Sequence, residues 1–145
     1  LVRAGSGLRK AIPLDLIARL EDIEVDQIRR SDDGRMLVQY RDSLMPLVPA
    51  ASDLVLRSSG RQPVLVFTDV QSGVTTDNGQ PWQMGLLVDE ILDILESTAR
   101  IDIESGHPDI LGSAIIGDEP TEVLDTACLL GRGGAKSHYA GEYAA

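Results

Sequence analysis

The segment Pro63–Val70, with the sequence PVLVFTDV, is the part of the chain that most clearly indicates its fold class. It begins with a proline and continues with β-branched and apolar residues, which pack well on the surface of a pleated sheet. We therefore predict a β-strand over this segment, and the rest of the chain can be analysed outward from it.

Shorter segments on both sides have the same character and are separated by clusters of Gly, Asp, Ser and Pro, which favour turns. The predicted strands are two pieces within residues 1–12, Asp22–Asp26, Arg35–Tyr40, Leu44–Val48, Ile101–Ile103, Ile110–Ile116 and Thr121–Leu124. The predicted turns are Gly5–Gly7, Ser31–Gly34, Arg41–Ser43, Gly106–Pro108 and Gly117–Pro120. Pro46 cannot donate to a ladder, so its strand should be unpaired or bulged on one side.

Four other stretches are predicted from composition and spacing. Pro13 followed by Leu14–Ala18 favours a single helical turn. Residues 71–83 form a long loop or a distorted hairpin, and residues 131–145 have the small, polar composition of a disordered tail. Over Met84–Glu96 the apolar spacing favours a helix, but two short strands joined by a kink fit the same residues.

About nine or ten short strands with turn signals every ~8–12 residues predict a mainly β fold, either a barrel or a sandwich. The chain has 145 residues, which is typical of one domain. Aromatic residues make up only 3% of it, so we expect a core built from Leu, Ile and Val.

The charge and the cysteine content exclude several classes of protein. The 23 acidic residues against 13 basic ones give a net charge of −10, which disfavours binding to nucleic acid or to an anionic membrane surface. No apolar run approaches the ~20 residues of a membrane-spanning helix. The single cysteine, Cys128, excludes an internal disulfide and a multi-cysteine metal site, and it fits a reducing compartment.

No motif in the sequence indicates catalysis, a cofactor or a metal. Cys128 and His107 could form a pair only if folding brought them together, and otherwise they are a small core residue and a turn histidine. The adjacent carboxylates are Asp32-Asp33, Asp89-Glu90 and Asp118-Glu119. Neighbours on a strand point to opposite faces, so these pairs are better explained as solvated turn residues than as an acid and base on one substrate.

One stretch indicates protein binding. Arg41 precedes the predicted strand Leu44–Val48, which carries Met45 and lacks one donor at Pro46. An extended edge with apolar residues can accept another protein, and Arg and Met are enriched at interfaces. The alternative is that these apolar side chains simply fill the core while Arg41 covers it.

Several segments, in this order, resemble the CheW-like module of bacterial chemotaxis over about residues 8–130. They are Ile12–Leu14, Arg19–Glu21, Val38–Arg41, Leu44–Val48, Val64–Val66, Gly85–Ile91, Leu111–Ile116 and Glu122–Asp125. The sequence around Ile12–Leu14 and Tyr40–Pro46 most resembles the C-terminal regulatory domain of the histidine kinase CheA, and it resembles the adaptor CheW next best.

The resemblance implies two five-stranded SH3-like β-barrels on a shared aliphatic core over residues 1–130, followed by the tail. Over Met84–Glu96 it implies a strand, a bulge and a second strand in place of a helix. Asp42 stands where the family usually has glycine, and the 71–83 loop is longer than usual.

The resemblance also implies a non-catalytic coupling domain without a cofactor, excised from a kinase whose phosphotransfer domains lie elsewhere. Its partners would be a CheW-type adaptor, the chemoreceptor tip and other kinase domains, in the cytoplasm at receptor arrays. The implied contact residues are Arg41, Asp42, Leu44, Met45 and Val48. The alternatives are a free CheW-type adaptor, an enzyme using paired carboxylates, and a structural module that pairs through its sheet edges.

Overall fold

A computed structural model describes residues 1–13, 17–41, 43–69, 82–93, 101–126 and 128–129. The mainly β class is confirmed. The strands are β1 Val2–Arg3, β2 Arg9–Ala11, β3 Ile17–Glu24, β4 Arg29–Arg30, β5 Met36–Tyr40, β6 Ser43–Pro49, β7 Arg61–Asp69, β8 Trp82–Leu87, β9 Glu90–Ile91, β10 Ile103–Glu104, β11 Ile110–Ile116 and β12 Glu119–Leu124. A 3-10 turn at Val25–Gln27 follows β3.

The strands form two six-stranded sheets. The first has the order β10-β11-β12-β2-β1-β9, and the second has the order β3-β7-β8-β6-β5-β4. The resemblance implied two closed barrels of five strands, whereas each sheet here has six strands and neither closes within the described ranges. Both sheets mix antiparallel hairpins with one parallel pair, β12 with β2 and β6 with β8.

Strand β7 is buried on both faces, and this explains its unbroken apolar sequence. Its residues alternate between two clusters: Val64 and Val66 face the interior of the second sheet, whereas Leu65 and Phe67 face the first sheet. All four side chains are at most 3% exposed. A strand covered on one face alone would alternate apolar and polar residues.

The core has three parts. The interior of the second sheet holds Ile23, Val38, Tyr40, Met45, Leu47, Val64, Val66 and Leu87. The first sheet has a smaller interior around Ala114, Ile116 and Val123. The third cluster joins the two sheets, with Val2, Ala4 and Leu124 from the first and Val48, Ala50, Leu65, Phe67, Met84 and Leu86 from the second. Each sheet therefore has its own core and also shares one with the other.

The second sheet curls until its first strand meets β5. The Arg19 guanidinium on β3 lies 5.7 Å from the centre of the Tyr40 ring on β5, although three strands stand between them in the sheet order. Ile23 on β3 and Val38 on β5 also belong to one cluster. This curl gives the sheet an inside and two ends, and the polar residues discussed below lie at one end.

The helix favoured by apolar spacing over Met84–Glu96 is wrong for the described residues. Strand β8 ends at Leu87, Val88 and Asp89 lie outside the strands, and β9 follows, as the resemblance implied. Because Met84 and Leu86 face the inter-sheet core while Leu87 faces the other way, the apolar run reflects burial on two sides. Residues 94–96 lie outside the described part of the chain.

Other predictions differ at their ends. Ile17 and Ala18 belong to β3, not to a helical turn, and residues 14–16 lie outside the description. Trp82 and Gln83 belong to β8, so the predicted 71–83 loop ends earlier, and the rest of it lies outside the description. The predicted tail, residues 131–145, is also outside it. Among the described residues, no helix has the length and apolar character needed to cross a membrane.

The predicted consequence of Pro46 is confirmed. On one side β6 pairs with β5 from Ser43 to Leu47, with Pro46 opposite Leu37. On the other side its ladder with β8 begins only at Leu47, paired with Gly85. The missing donor therefore falls where the second ladder has not yet started.

The crossover between the sheets is held by carboxylates around the Gly5–Gly7 turn. Asp89 accepts a hydrogen bond of 2.6 Å from the Gly5 amide, and Asp53 accepts bonds from the Ser6 amide and hydroxyl. Gly5 has a φ of +65°, and a Cβ there would collide with the Asp53 carboxylate. Glycine at this position is thus required both by the backbone and by the close carboxylate.

Candidate functional site

The β5–β6 hairpin presents the strongest candidate residues of the chain. Tyr40 and Ser43 close the hairpin as a pair, and Arg41 lies in the turn that follows Tyr40. Arg41 is exposed and has a φ of +49°, a left-handed conformation that is uncommon for residues other than glycine. Asp42 lies outside the described residues, so its contact role stays a prediction.

Two guanidinium groups lie near the ring of Tyr40. The Arg41 guanidinium is 5.5 Å from the ring centre, and the Arg19 guanidinium is 5.7 Å from it. Both distances fall within the range in which a cation is attracted to the face of an aromatic ring. Two positive groups therefore share one aromatic side chain in a protein whose net charge is −10.

The apolar residues of the predicted contact set separate into two groups. Leu44 is 66% exposed and remains available to a partner. Met45 and Val48, in contrast, are 0% and 7% exposed and belong to the core, so the expectation that they contact a partner is corrected. For them the alternative explanation, core filling, agrees with the structure, because alternate residues of β6 face opposite buried sides.

A β-bulge turns Arg19 into the interior of the second sheet. The register of β3 against β7 shifts between Ile17, which pairs with Phe67, and Arg19, which pairs with Val66. Without this shift both residues would face the same side. With it, Ile17 packs against the inter-sheet cluster while Arg19 lies on the face of Val66, which belongs to the interior.

Three buried polar atoms at this end of the interior lack a hydrogen-bond partner among the described residues. They are Arg19 Nε, Tyr40 Oη and Gln83 Oε1. Gln83 pairs with Thr68 and shares the face of Gly85 and Leu87, so the three side chains come from three strands of one sheet. Buried polar groups are normally paired, and each exception in a native structure calls for an explanation. Sequence reasoning missed Arg19 and Gln83.

A second candidate surface lies at the β10 end of the first sheet. Ile103, Leu111 and Ile115 are 70%, 50% and 70% exposed. Ile103 pairs with Ser113 and Ile115 pairs with Pro120, which places them on one side of the sheet. We call these four residues, Ile103, Leu111, Ile115 and Pro120, the β10–β11 face.

The β10–β11 face continues the side of the first sheet that packs on the second. A row across the sheet runs from Ile103 through Ser113, Glu122 and Lys10 to Val2. Val2 is part of the inter-sheet cluster, and Lys10, which is 4% exposed, forms an ion pair with Glu122 in the middle of the row. The sheet face is thus covered at one end and open at the other.

A shallow cleft of about 230 Å³ lies elsewhere on the second sheet. It is lined by Gly34, Arg35, Met36, Pro46, Leu47, Val48, Pro49 and Ser52. It is at the start of β5, away from the Tyr40 end of that strand.

The adjacent carboxylates do not converge on one site. Glu90 pairs with Arg3 at 2.9 Å and Glu119 pairs with Arg9 at 3.2 Å, while Asp89 accepts from Gly5. Asp32 and Asp33 lie in an exposed turn, where a hydrogen bond from the Ser31 hydroxyl lowers the pKa of Asp33. Asp118 is exposed, so each of the six carboxylates in these adjacent pairs has a local structural contact or faces solvent.

Cys128 and His107 lie near each other, with Asp109 between them. The Cys128 thiol donates to Asp109 Oδ1 at 3.3 Å, and the Asp109 amide donates to His107 Nδ1 at 3.1 Å. Asp125 caps the short helical turn that carries Cys128, accepting from its amide at 3.1 Å. The thiol thus donates to a buried carboxylate. The described residues contain no group of three metal-ligating side chains.

Two comparisons with known proteins were made. Neither the scan against protein-family models nor the search of curated proteins found a match to this chain. The functional assignment therefore depends on the arrangement of these residues and on the resemblance described above.

Proposed function

We propose that this chain is a non-catalytic CheW-like coupling domain of a chemotaxis histidine kinase of the CheA type. It would dock the kinase to a CheW-type adaptor and to the tip of a chemoreceptor. A free CheW-type adaptor is the second possibility, because the same contacts would serve either protein. In both cases the domain acts in the cytoplasm at receptor arrays.

The observation that carries this proposal is the arrangement of the core. A coupling module built from two small barrels needs an interior in each barrel and a third cluster between them. The two sheets have this arrangement, with interiors around Val66 and Val123 and a shared cluster around Leu65. The strong curl of the second sheet supports a barrel-like form for that half.

Two exposed surfaces support a docking role. The hairpin turn presents Arg41 beside Leu44, and the β10–β11 face presents exposed aliphatic side chains on the other sheet. Exposed apolar side chains that are grouped on one face, as on the β10–β11 face, are typical of contact surfaces. A domain that transmits the state of a receptor to a kinase needs contacts of this kind, because coupling requires differential binding.

The test is binding by isothermal calorimetry to an adaptor and to a receptor-tip fragment. Arg41→Glu should weaken adaptor or receptor binding by at least tenfold and leave the fold intact, since Arg41 is exposed. Arg30→Glu is the matched control, because Arg30 is an exposed arginine on β4 of the same sheet. Ile115→Glu should weaken the contact made by the β10–β11 face, and Val55→Glu, at a side chain 79% exposed elsewhere, is its control.

Unchanged affinity in Arg41→Glu would refute the role of the hairpin turn. Absence of binding to every adaptor and receptor fragment would refute the proposed function as a whole. The reading frame upstream of Leu1 then separates kinase from adaptor, because an ATP-binding domain there assigns the chain to a kinase.

A further inference from the structure

We infer that the polar end of the second sheet binds a carboxylate side chain of a partner protein, with Arg19, Tyr40 and Arg41 as its ligands. The chemistry of the bound group is inferred from these residues alone. Only the identity of the partner protein rests on the proposed function. We call these three residues the arginine–tyrosine site.

The first argument is charge. Arg3, Arg9 and Arg61 each pair with a glutamate on a neighbouring strand. Arg19 and Arg41 instead stack on the same ring, and among the described residues neither forms an ion pair. Two guanidinium groups around one side chain repel each other, so an anion placed between them is stabilised by both.

The second argument is the set of unused donors. Tyr40 is 9% exposed, and its hydroxyl is buried without a partner in the described ranges. Arg19 Nε–H is likewise buried and unpartnered. The Arg19 Nε–H can only donate and the Tyr40 hydroxyl can donate, so one acceptor could satisfy both, and the positive charges favour a negative one. A carboxylate has two oxygens and can accept from the tyrosine and from a guanidinium at the same time.

The third argument concerns access. Arg41 is the exposed member of the site. It lies in the hairpin turn, and its long side chain places the guanidinium over the Tyr40 ring. Rotation of this side chain away from the ring opens the path to Tyr40, and its guanidinium can then close over the bound carboxylate. Arg19 is only half-buried, so its outer nitrogens remain within reach of solvent.

The fourth argument distinguishes a protein side chain from a free anion. Leu44 is exposed to 66%, and it follows Arg41 after two residues on the same hairpin. A small inorganic anion gains nothing from an exposed leucine, whereas a peptide that carries a glutamate and apolar residues contacts both. Arg and Tyr are also the residue types that contribute most to protein interfaces.

The experiment is an NMR titration of the full 145-residue chain with the blocked peptide Ac-Leu-Glu-Leu-NH2. The Nε–Hε signals of Arg19 and Arg41 and the amide signals of β5 and β6 should shift and saturate. The matched peptide Ac-Leu-Gln-Leu-NH2 should bind at least fivefold more weakly, because it lacks only the charge. Sodium acetate and inorganic phosphate are titrated separately to test for a free anion.

Three variants locate the binding. Arg41→Gln should weaken binding of the glutamate peptide at least fivefold, whereas Arg30→Gln, which removes an equal charge from β4, should change it less than twofold. Tyr40→Phe keeps the ring and should weaken binding at least threefold while the amide spectrum remains that of a folded chain. Equal binding of both peptides, or an equal effect of Arg30→Gln and Arg41→Gln, overturns the inference. Tighter saturation by phosphate or acetate than by the peptide also overturns it, since the site then takes a free anion.

These outcomes are separate from those that test the proposed function. If the glutamate peptide binds at Tyr40 but adaptor and receptor fragments do not bind, the carboxylate site stands and the chemotaxis assignment fails. If the fragments bind and Arg41→Gln and Tyr40→Phe leave the peptide titration unchanged, the assignment stands and the arginine–tyrosine site is refuted.

Discussion

Replacing Tyr40 with phenylalanine should stabilise the protein, which is the opposite of what loss of a tyrosine hydroxyl usually does. The Tyr40 hydroxyl is buried, and no described residue hydrogen-bonds to it. An unsatisfied buried polar group costs about 1–3 kcal/mol, and removing it recovers part of that cost. The ring remains in place, so the stacking of Arg19 and Arg41 changes little.

We expect a gain of about 1 kcal/mol in the free energy of unfolding, at the lower end of that range because the lost oxygen also leaves a small gap. In a chain of this size such a gain raises the melting temperature by about 3–5 °C. Urea unfolding followed by circular dichroism measures the free energy of unfolding. Gln83→Met, which removes an Oε1 on β8 that has no partner among the described residues, should change it in the same direction. A loss of about 1 kcal/mol in Tyr40→Phe would mean that the hydroxyl is hydrogen-bonded, and it would remove the second argument for the arginine–tyrosine site.

Three further predictions test the fold. Leu65→Ala, at a side chain 1% exposed between the two sheets, should cost about 2–5 kcal/mol in urea unfolding, whereas Val55→Ala, at a side chain 79% exposed, should cost almost nothing. Gly85→Ala should cost about 1–3 kcal/mol, because its Cβ would lie 2.6 Å from Leu47 Cδ2 and 2.7 Å from Val64 Cγ1, and an equal stability would show that β8 is not so close to β6 and β7. Gly106→Ala is the control, since no atom lies within 4 Å of its Cβ position. Hydrogen bonds from the Ser6 side chain and amide lower the pKa of Asp53 in the folded protein. The stabilisation that the Asp53 carboxylate gives the fold is therefore present above the ordinary carboxyl pKa and is lost as the pH falls through the pKa of the folded state. The urea midpoint should therefore fall less between pH 6 and pH 3 in Asp53→Asn than in the wild-type chain, and the same fall in both would refute the contact.

Local sequence pattern predicted most of the strands but not the direction in which some residues face. The hairpin of β11 and β12 follows from two apolar segments around Gly117 and Asp118, both of which adopt positive φ. The same reasoning favoured a helix over β8, because Leu87 and Ile91 have helical spacing. A strand that is covered on both faces does not alternate apolar and polar residues. Its sequence alone therefore cannot be distinguished from that of a buried helix.

The candidate site was only partly predictable for a related reason. Arg41 and Leu44 stand out in the sequence because they flank a turn, and both are exposed as expected. Met45 and Val48 belong to the same apolar segment, and only the pairing of β6 with strands on both sides shows that they are buried. Arg19 could not be placed, since its orientation depends on the bulge after Ile17 and a bulge leaves no pattern in one sequence.

The two buried glutamines of the second sheet show why the polar end of its interior is better explained by binding than by folding. Gln62 is 0% exposed, and its carboxamide donates to Val88 O at 2.6 Å and accepts from the Arg57 amide at 3.3 Å. Its burial is therefore satisfied, and it helps to hold the crossover between the sheets. Gln83 is 9% exposed on a neighbouring strand, and its oxygen has no partner in the described part of the chain.

Within the described part of the chain, the same sheet thus pairs the buried Gln62 carboxamide at one end and leaves buried polar atoms without a partner at the other. The unpaired end also holds the bulge that turns Arg19 inward and the strained backbone of Arg41. Each of these features costs stability, and apolar residues with a regular strand would avoid all three. Local rules of folding are broken together mainly where a site must recognise something outside the chain. Within the described ranges, Arg19 Nε and the Tyr40 hydroxyl lack a hydrogen-bond partner, and the Arg19 and Arg41 guanidinium groups form no ion pair. An anionic side chain of a partner protein would complement these groups.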